Sequence, residues 1–553
     1  MTKEWLALFL VIAMGALFFF PGLGKRLFWY SYEARVAQVA RQMLRSSTFE
    51  AWLLPRLGDQ DRLKKPPLAY WLAALVSSLA GGVSHFTARL PNACAAIGCL
   101  VIVYAWAKKL HSNSAGILAA AALATCGLFW QQGRSAGIEM PLLFFNLLAL
   151  HAWWRYRQTL ITAPSEIAAP ACGWLLLTYT SLGFAFLQKG PVGPILILLI
   201  IVFYLGLSGD WRIRGAGWRW HGLGILLFMI LSLPWYAVVM YCKPEAWAIW
   251  FRESAGRIEG FDHLRHPTAY FVWQMLGNGQ PWILPALLSL SFFRRTNPEM
   301  SKLFIMWVWT AVTLVFFSIP GSKKNYYLLP VYPSLAIQAA IVFAAAADDV
   351  LSAPAIWLRR LLLAGGIILA TAAPLMFFLT PHMIIRERIS PIYATEPQFS
   401  LSIALLLAMG IAVFMCARCR RFYAAAGILT AGMASVFAIY LTLVPYFDME
   451  KSQQPMAQAL QPHLRPSDDV YTYYHFAPEE LMWYLDHPVK MLATHIEVQN
   501  AMAAQRRGAF YLLADNRSLA RFPMELRAAL LPLPHAELPD GLRWWRLNRT
   551  DNN

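Results

Sequence analysis

Hydrophobic and polar positions along this chain are segregated on the scale of whole helices. Apolar runs fall at 5–20, 89–107, 114–131, 138–153, 172–188, 191–207, 221–241, 273–293, 302–319, 326–346, 359–379, 398–416 and 423–446, which makes thirteen. A helix needs roughly 20 apolar residues to cross the hydrocarbon core of a bilayer. The pattern therefore predicts a polytopic α-helical membrane protein with about thirteen transmembrane helices. A shorter apolar segment, 67–83, opens with Lys64-Lys65-Pro66-Pro67. After Phe447 the pattern turns polar and shorter in period. Asp468–Phe476, Gly508–Ala514 and Gly541–Leu547 read as strands, and Glu479–Leu485 and Glu497–Arg506 as helices. The expected organisation is a membrane domain over 1–447, interrupted by a long loop at 22–88, and a small α/β domain over 448–553.

Composition agrees with the pattern. Of 553 residues, 58% are hydrophobic and 14% charged, with a mean hydropathy of +0.45. Soluble proteins carry about 25% charged residues, so a soluble fold, a disordered chain and a coiled coil are excluded. The net charge is +17. In a membrane chain such an excess belongs to cytoplasmic loops rather than to nucleic-acid binding. No small-residue cleavage site follows Phe20, so 5–20 reads as a first span. The seven cysteines lie mostly in apolar runs and suggest no disulfide framework.

Charge also predicts sidedness. If 67–83 does not cross, Lys108, Lys109, Arg155, Arg157, Arg212, Arg214, Arg294, Arg359, Arg360, Arg418 and Arg420 all fall on one side. Segment 67–83 is then an interfacial helix on the outer side, and the C-terminus is periplasmic.

The cations that break this bias are the candidates for chemistry. On the outer side stand Lys65, Arg134, Lys189, Lys323 and Lys324, with Tyr326 beside the last two. An anionic head group at the outer boundary would account for them, since Lys and Arg both bind phosphate. Interfacial anchoring by Lys and aromatics is the competing reading. Residues 32–45 have helical spacing, with Arg35, Arg41 and Arg45 off the apolar face. Snorkelling arginines on a membrane-surface helix are expected there. Glu33 at its N-terminus is either a dipole cap, a metal ligand or a base. In loop 242–272, His263 and His266 with nearby carboxylates could hold a divalent metal, against the alternative of a solvated loop.

The order of segments resembles a known family. An acidic-x-Arg helix is followed by KPPLAYW, then ARLPNA at 88–93, RSAGIEMPL at 134–142, LQKGPVGP at 187–194, LPWY at 233–236 and SIPGSKKNYYLLPVYP at 318–333. This is similar to the bacterial lipid A aminoarabinose transferases, relatives of the protein O-mannosyltransferases. The resemblance implies a C-type glycosyltransferase fold in the bacterial inner membrane. It also implies a sugar donor on undecaprenyl phosphate and a lipid A phosphate, or a related envelope group, as acceptor. Carried over by position are Glu33 and Glu139 as catalytic acids, and Arg35, Lys65, Lys189, Lys323, Lys324 and Tyr326 as substrate-binding residues. Tyr32 stands where the family has Asp, and Glu139 where it has Asp. A phosphate acceptor is already an anion and needs no general base, which makes loss of one carboxylate tolerable. The alternatives are an O-mannosyltransferase-like enzyme and a non-catalytic transporter of lipid-linked sugars. A transporter is expected to carry ionisable groups at mid-bilayer, whereas the acids here sit at span ends.

Overall fold

The computed structural model describes residues 3–46, 48–162, 169–209, 217–259, 266–267, 269–292, 298–385, 397–474, 476–505, 508–533 and 542–547. They divide into two compact units. The first comprises Met1–Pro21, Lys64–Leu68 and Asn92–Thr442, and the second Gly22–Leu63, Ala69–Pro91 and Leu443–Asn553.

The first unit is helical. Among the described residues, seven helices are long and apolar enough to cross a membrane. An eighth candidate is the pair Asn113–Ala124 and Gly127–Gly133, bent by 74°. The Thr125 hydroxyl lies at that bend, donating to Ala121 O and accepting from the buried Trp282 Nε1 at 2.7 Å. Lys3–Phe19, Val192–Ser208 and Leu303–Ser318 are apolar but shorter. The helix over the expected span 138–153, Glu139–Thr162, is not among the seven, and the expected span 273–293 is broken into Tyr270–Asn278, Ile283–Leu288 and a 3-10 turn at Ser289–Phe292. Pro281 and Pro285 lie in this stretch, and proline removes a helix hydrogen bond.

The helix Tyr332–Asp348 forms the centre of this unit, packed against Asn113–Ala124, Ile283–Leu288 and Pro298–Ser318. The apolar stretch of Asn325–Asp348 is 89% buried, whereas that of Phe422–Asp448 is 11% buried. Alanines at 336, 339, 340, 344 and 346 allow close approach of neighbours in the centre. Peripheral helices such as Trp218–Cys242 present Ile225, Leu226 and Ile230 outward, as lipid-facing helices do.

In the second unit, Leu68–Leu79 is a helix of 12 residues. At 1.5 Å per residue it spans roughly 18 Å, too short for a bilayer core. A hairpin pairs β1 (Arg56–Leu57) with β2 (Gln60–Asp61). The C-terminal segment holds β3 (Asp469–Tyr473), β4 (Val489–Leu492), β5 (Phe510–Asp515), β6 (Leu530–Pro532) and β7 (Leu542–Leu547). They form one sheet in the order β4-β3-β5-β7-β6. β3, β4 and β5 are parallel, and β7 is antiparallel to β5 and β6. Alternate residues feed two cores. Val470, Tyr511, Leu513 and Trp544 pack with Leu481 and Leu485 on one face. Tyr471, Phe510 and Leu512 pack with Val498 and Phe522 on the other. The three strands read from the sequence are present; β4 and β6 were not expected.

Candidate active site

In the first unit, the LQKGP stretch is a helix stop. Lys189 ends Ala169–Lys189, where a cation complements the helix dipole. Gly190 takes φ +73°, and Pro191 leads into Val192–Ser208. Glu139 opens the helix Glu139–Thr162, at the dipole's favourable end. Its two carboxylate oxygens accept from Lys189 Nζ at 2.6 and 2.7 Å, with both side chains about nine-tenths buried. Tyr326 and Tyr327 lie on the 3-10 helix Asn325–Val331. Lys189 Nζ is 5.0 Å from the Tyr327 ring and 6.0 Å from that of Tyr326, and Lys324 Nζ is 5.6 Å from Tyr326. Glu139, Lys189, Tyr326 and Tyr327 line one small pocket.

The other candidates in this unit are placed separately. Lys64 and Lys65 lie 3.8 and 3.7 Å from Glu253, on the helix Ala246–Glu259. Lys323 is buried and donates to the carbonyls of Pro320 and His266, which ties down its loop. Arg134 donates to the carbonyls of Phe18, Phe19 and Pro21, capping the C-terminus of Lys3–Phe19. His266 is exposed and stacks on Tyr270, while His263 lies outside the described residues. Among the described residues, no three His, Cys, Asp or Glu are grouped to hold a metal ion.

In the second unit, Ser31–Arg45 is the expected helix. Its arginine face differs from the expectation of snorkelling side chains. Arg35 Nε donates to Glu479 at 3.0 Å, Arg41 to the Trp483 carbonyl at 3.0 Å, and Arg45 to both oxygens of Asp486 at 2.7 and 2.8 Å. Arg41 also covers the Trp483 ring at 3.5 Å. The face is thus a docking surface for the helix Pro478–Leu485 of the C-terminal segment, because carboxylates and an aromatic ring outcompete water for the guanidiniums. Salt-bridging to Arg45 holds Asp486 below the usual carboxylate range.

Glu33 is fully buried. It accepts from Arg26 at 2.8 Å and from Arg89 Nε at 3.0 Å. Arg89, itself fully buried, also donates to the carbonyls of Leu23, Arg26 and Leu27. Nearby, Asp448 accepts from Leu27 N and Trp29 Nε1, and Tyr484 Oη from Phe28 N. Glu480 is 4% exposed, and burial raises its pKa to about 8.

Of the candidates, Glu139, Lys189 and Tyr326 meet at one cavity, with Lys324 against Tyr326. Glu33 and Arg35 belong to ion pairs within the second unit, and Lys65 to one with Glu253. Arg89 and Asn146, which lines the Glu139 pocket, were not singled out in the sequence; Glu253 was read only as a carboxylate near His263 and His266. Arg89 had a signal: a charge in ARLPNA at the edge of an apolar run needs a partner.

Comparison with known proteins bears on this arrangement. Residues 64–237 match the family of dolichyl-phosphate-mannose-protein mannosyltransferases. An undecaprenyl phosphate-α-4-amino-4-deoxy-L-arabinose arabinosyl transferase of Pseudomonas fluorescens is 26% identical over 74% of this chain and 70% of its own length. A Proteus mirabilis transferase of the same name is 28% identical over 60% of this chain and 57% of its own. The crystal structure of ArnT from Cupriavidus metallidurans bound to undecaprenyl phosphate superposes with a TM-score of 0.73 at 18% identity, covering 100% of this chain and 99% of that one. Its apo form gives 0.74 at 20% identity, covering 98% of each chain.

The chain resembles the aminoarabinose transferases in sequence and in fold. It shares the polytopic helical fold of the two Cupriavidus metallidurans structures. The Glu139–Lys189–Tyr326 cluster sits in this fold on the motifs that carried the resemblance.

Proposed function

We propose that the chain moves a sugar from undecaprenyl phosphate to a phosphate of lipid A, or to a related envelope acceptor. It is a multi-pass membrane glycosyltransferase using a lipid-phosphate-linked sugar, and 4-amino-4-deoxy-L-arabinose is the sugar this reading assigns. The observation that carries it is the Glu139–Lys189–Tyr326 cluster at one cavity of a chain with this fold.

The reaction forms a bond between an acceptor phosphate oxygen and the sugar's anomeric carbon. It breaks the bond from that carbon to the donor phosphate and releases undecaprenyl phosphate. Both nucleophile and leaving group are phosphates, so negative charge must be neutralised more than a proton moved. Lys189, Lys324 and Lys65 supply positive charge, as outer-side cations of the first unit. Glu139 orients Lys189 in the resting state and is the acid left to face substrate. Glu33, enclosed by Arg26 and Arg89, is assigned a positioning role: it holds the N-terminus of Ser31–Arg45 against the 23–27 segment.

The active face is assigned to the periplasm. The first loop and the C-terminal segment pack as parts of one unit, through Asp448 on Leu27 and Trp29 and Asp486 on Arg45. Segments that pack together lie on one side of a membrane, which supports an odd number of spans between the N-terminus and the C-terminal domain. The test is transfer by the purified chain in nanodiscs, given undecaprenyl phosphate-α-4-amino-4-deoxy-L-arabinose and lipid A. Glycosylated lipid A is expected; transfer only to a Ser- or Thr-bearing peptide would move the assignment to O-glycosylation of protein.

A further inference from the structure

Two links join the helix ends that carry Glu139 and Lys189, and they stand next to each other in the sequence of both helices. The first is the ion pair of Lys189 with Glu139. The second is neutral and lies one residue earlier on each side: Gln188 Nε2 donates to the Ile138 carbonyl at 3.0 Å. Gln188 belongs to the last turn of Ala169–Lys189, and Ile138 directly precedes Glu139–Thr162. The same carbonyl accepts from Leu142 N at 3.3 Å, which closes the first turn of that helix. Gln188 therefore grips the turn that carries Glu139.

Gln188 is fully buried, and its side-chain carbonyl oxygen has no hydrogen-bond partner among the described residues. A buried acceptor left unpaired is costly. A Leu or Met would fill a similar volume without that cost, so the bond to Ile138 is what the amide offers and an apolar side chain does not. Beyond Lys189 the chain turns at once. Gly190 has φ +73°, and a Cβ there would stand 3.4 Å from Tyr236 Oη. Lys189 thus leaves from the last turn of its helix, and Gln188 ties this turn to its neighbour.

The two links differ in what they can exchange. A phosphate competes with the Glu139 carboxylate for Lys189, because both are anions that accept from an ammonium. The Gln188 amide is sealed from such a competitor by complete burial. When Lys189 serves a phosphate, the ionic link opens and the neutral link stays. We infer that Gln188 is a positioning residue. It keeps the ends of Ala169–Lys189 and Glu139–Thr162 in register while Lys189 is lent to a phosphate, so that Lys189 meets the reacting group from a fixed point and returns to Glu139 afterwards. A small misplacement of a charged group is enough to slow a reaction that depends on it. The inference rests on the phosphate-binding role proposed above for Lys189; Gln188 acts through that lysine and not on substrate.

The experiment measures transfer from undecaprenyl phosphate-α-4-amino-4-deoxy-L-arabinose to lipid A by the purified full chain in nanodiscs. Gln188→Met and Gln188→Leu remove the bond and the unpaired oxygen together, and the Ile138 carbonyl keeps Leu142 N, so both are expected to fold with the parental melting temperature. Either variant alone carries the test. Each is expected to lower kcat about tenfold, the scale of one hydrogen bond, with KM for the donor within about twofold of the parent, since the charge is still present and only its placement changes. In the Lys189→Ala background the same substitutions are expected to leave the residual rate unchanged, because no lysine is left to position. An equal fall in both backgrounds would make Gln188 a packing residue and overturn the inference. Parental kcat in a folded variant, a fall confined to affinity for the donor, or failure of both variants to fold would overturn it as well. Parental transfer by Lys189→Ala alone, or no transfer by the parental chain, would instead remove the reading on which the inference rests.

Discussion

Glu33 and Glu139 look alike in the sequence, and the structure surrounds them differently. Each stands in the first turn of a helix that follows a polar loop, and each occupies an acidic position in the motif order. Glu33 is sealed at 0% exposure between Arg26 and Arg89. Glu139 keeps about 13% of its side chain exposed, pairs with Lys189 and borders a cavity. A carboxylate held by buried guanidiniums is committed to architecture, because exchanging those partners would strand charge inside the protein. A carboxylate held by a lysine at a cavity can trade that lysine to a phosphate, since the anion supplies the compensating charge. The difference lies in what the neighbours can exchange, and an acidic motif does not record it.

The largest effect that tests this contrast is on stability. Arg89→Leu leaves Glu33 without one of its buried partners and is expected to cost about 3–5 kcal/mol. The check is a denaturation series in detergent. Sugar transfer per folded molecule should survive; parental stability with abolished transfer would place the reacting groups in the second unit.

Glu480 gives a pH signature of the same buried region. Its folded pKa of about 8 lies above the ordinary value of 4.5. A raised acid prefers the protonated form in the folded state, so its contribution is full below pH 4.5 and is lost as pH rises through 8. Glu480→Gln should match the parent near pH 5 and exceed it at pH 8 and above by on the order of 3 kcal/mol. Melting curves across that range check it, and an unchanged slope would mean that Glu480 is solvated.

At the other carboxylate the expected loss is in turnover. Lys189→Ala should lower transfer about 100-fold with folded yield intact, the scale of one electrostatic group acting on developing charge. The smallest effect belongs to the rim of the arginine face. Arg45 is 61% exposed, and its partner Asp486 is 47% exposed. Arg45→Ala should cost under about 1 kcal/mol. A loss comparable to that of Arg89→Leu would show that the outer ion pair organises the helix.

The sequence made the helix over 32–45 legible, because Val36, Val39, Ala40 and Met43 repeat at helical spacing. It did not reveal the use of Arg35 and Arg45. Their partners Glu479 and Asp486 lie 444 and 441 positions away, and no local pattern encodes such a pairing. The β3, β5 and β7 strands were readable from alternation, whereas β4 and β6 have only 4 and 3 residues, too few to establish a period. The Lys189 and Tyr326 positions stood out because positive charge on the outer side opposes the topology bias. Asn146 did not stand out. One amide in the apolar run 138–153 carries no local signal in the sequence.

Mass spectrometry of lipid A from cells carrying the parental chain, the Lys189→Ala chain or no copy tests the transferase assignment most directly. The account predicts an aminoarabinose-bearing lipid A species with the parental chain, and its loss in both other strains. An identical lipid A profile in all three strains would contradict it.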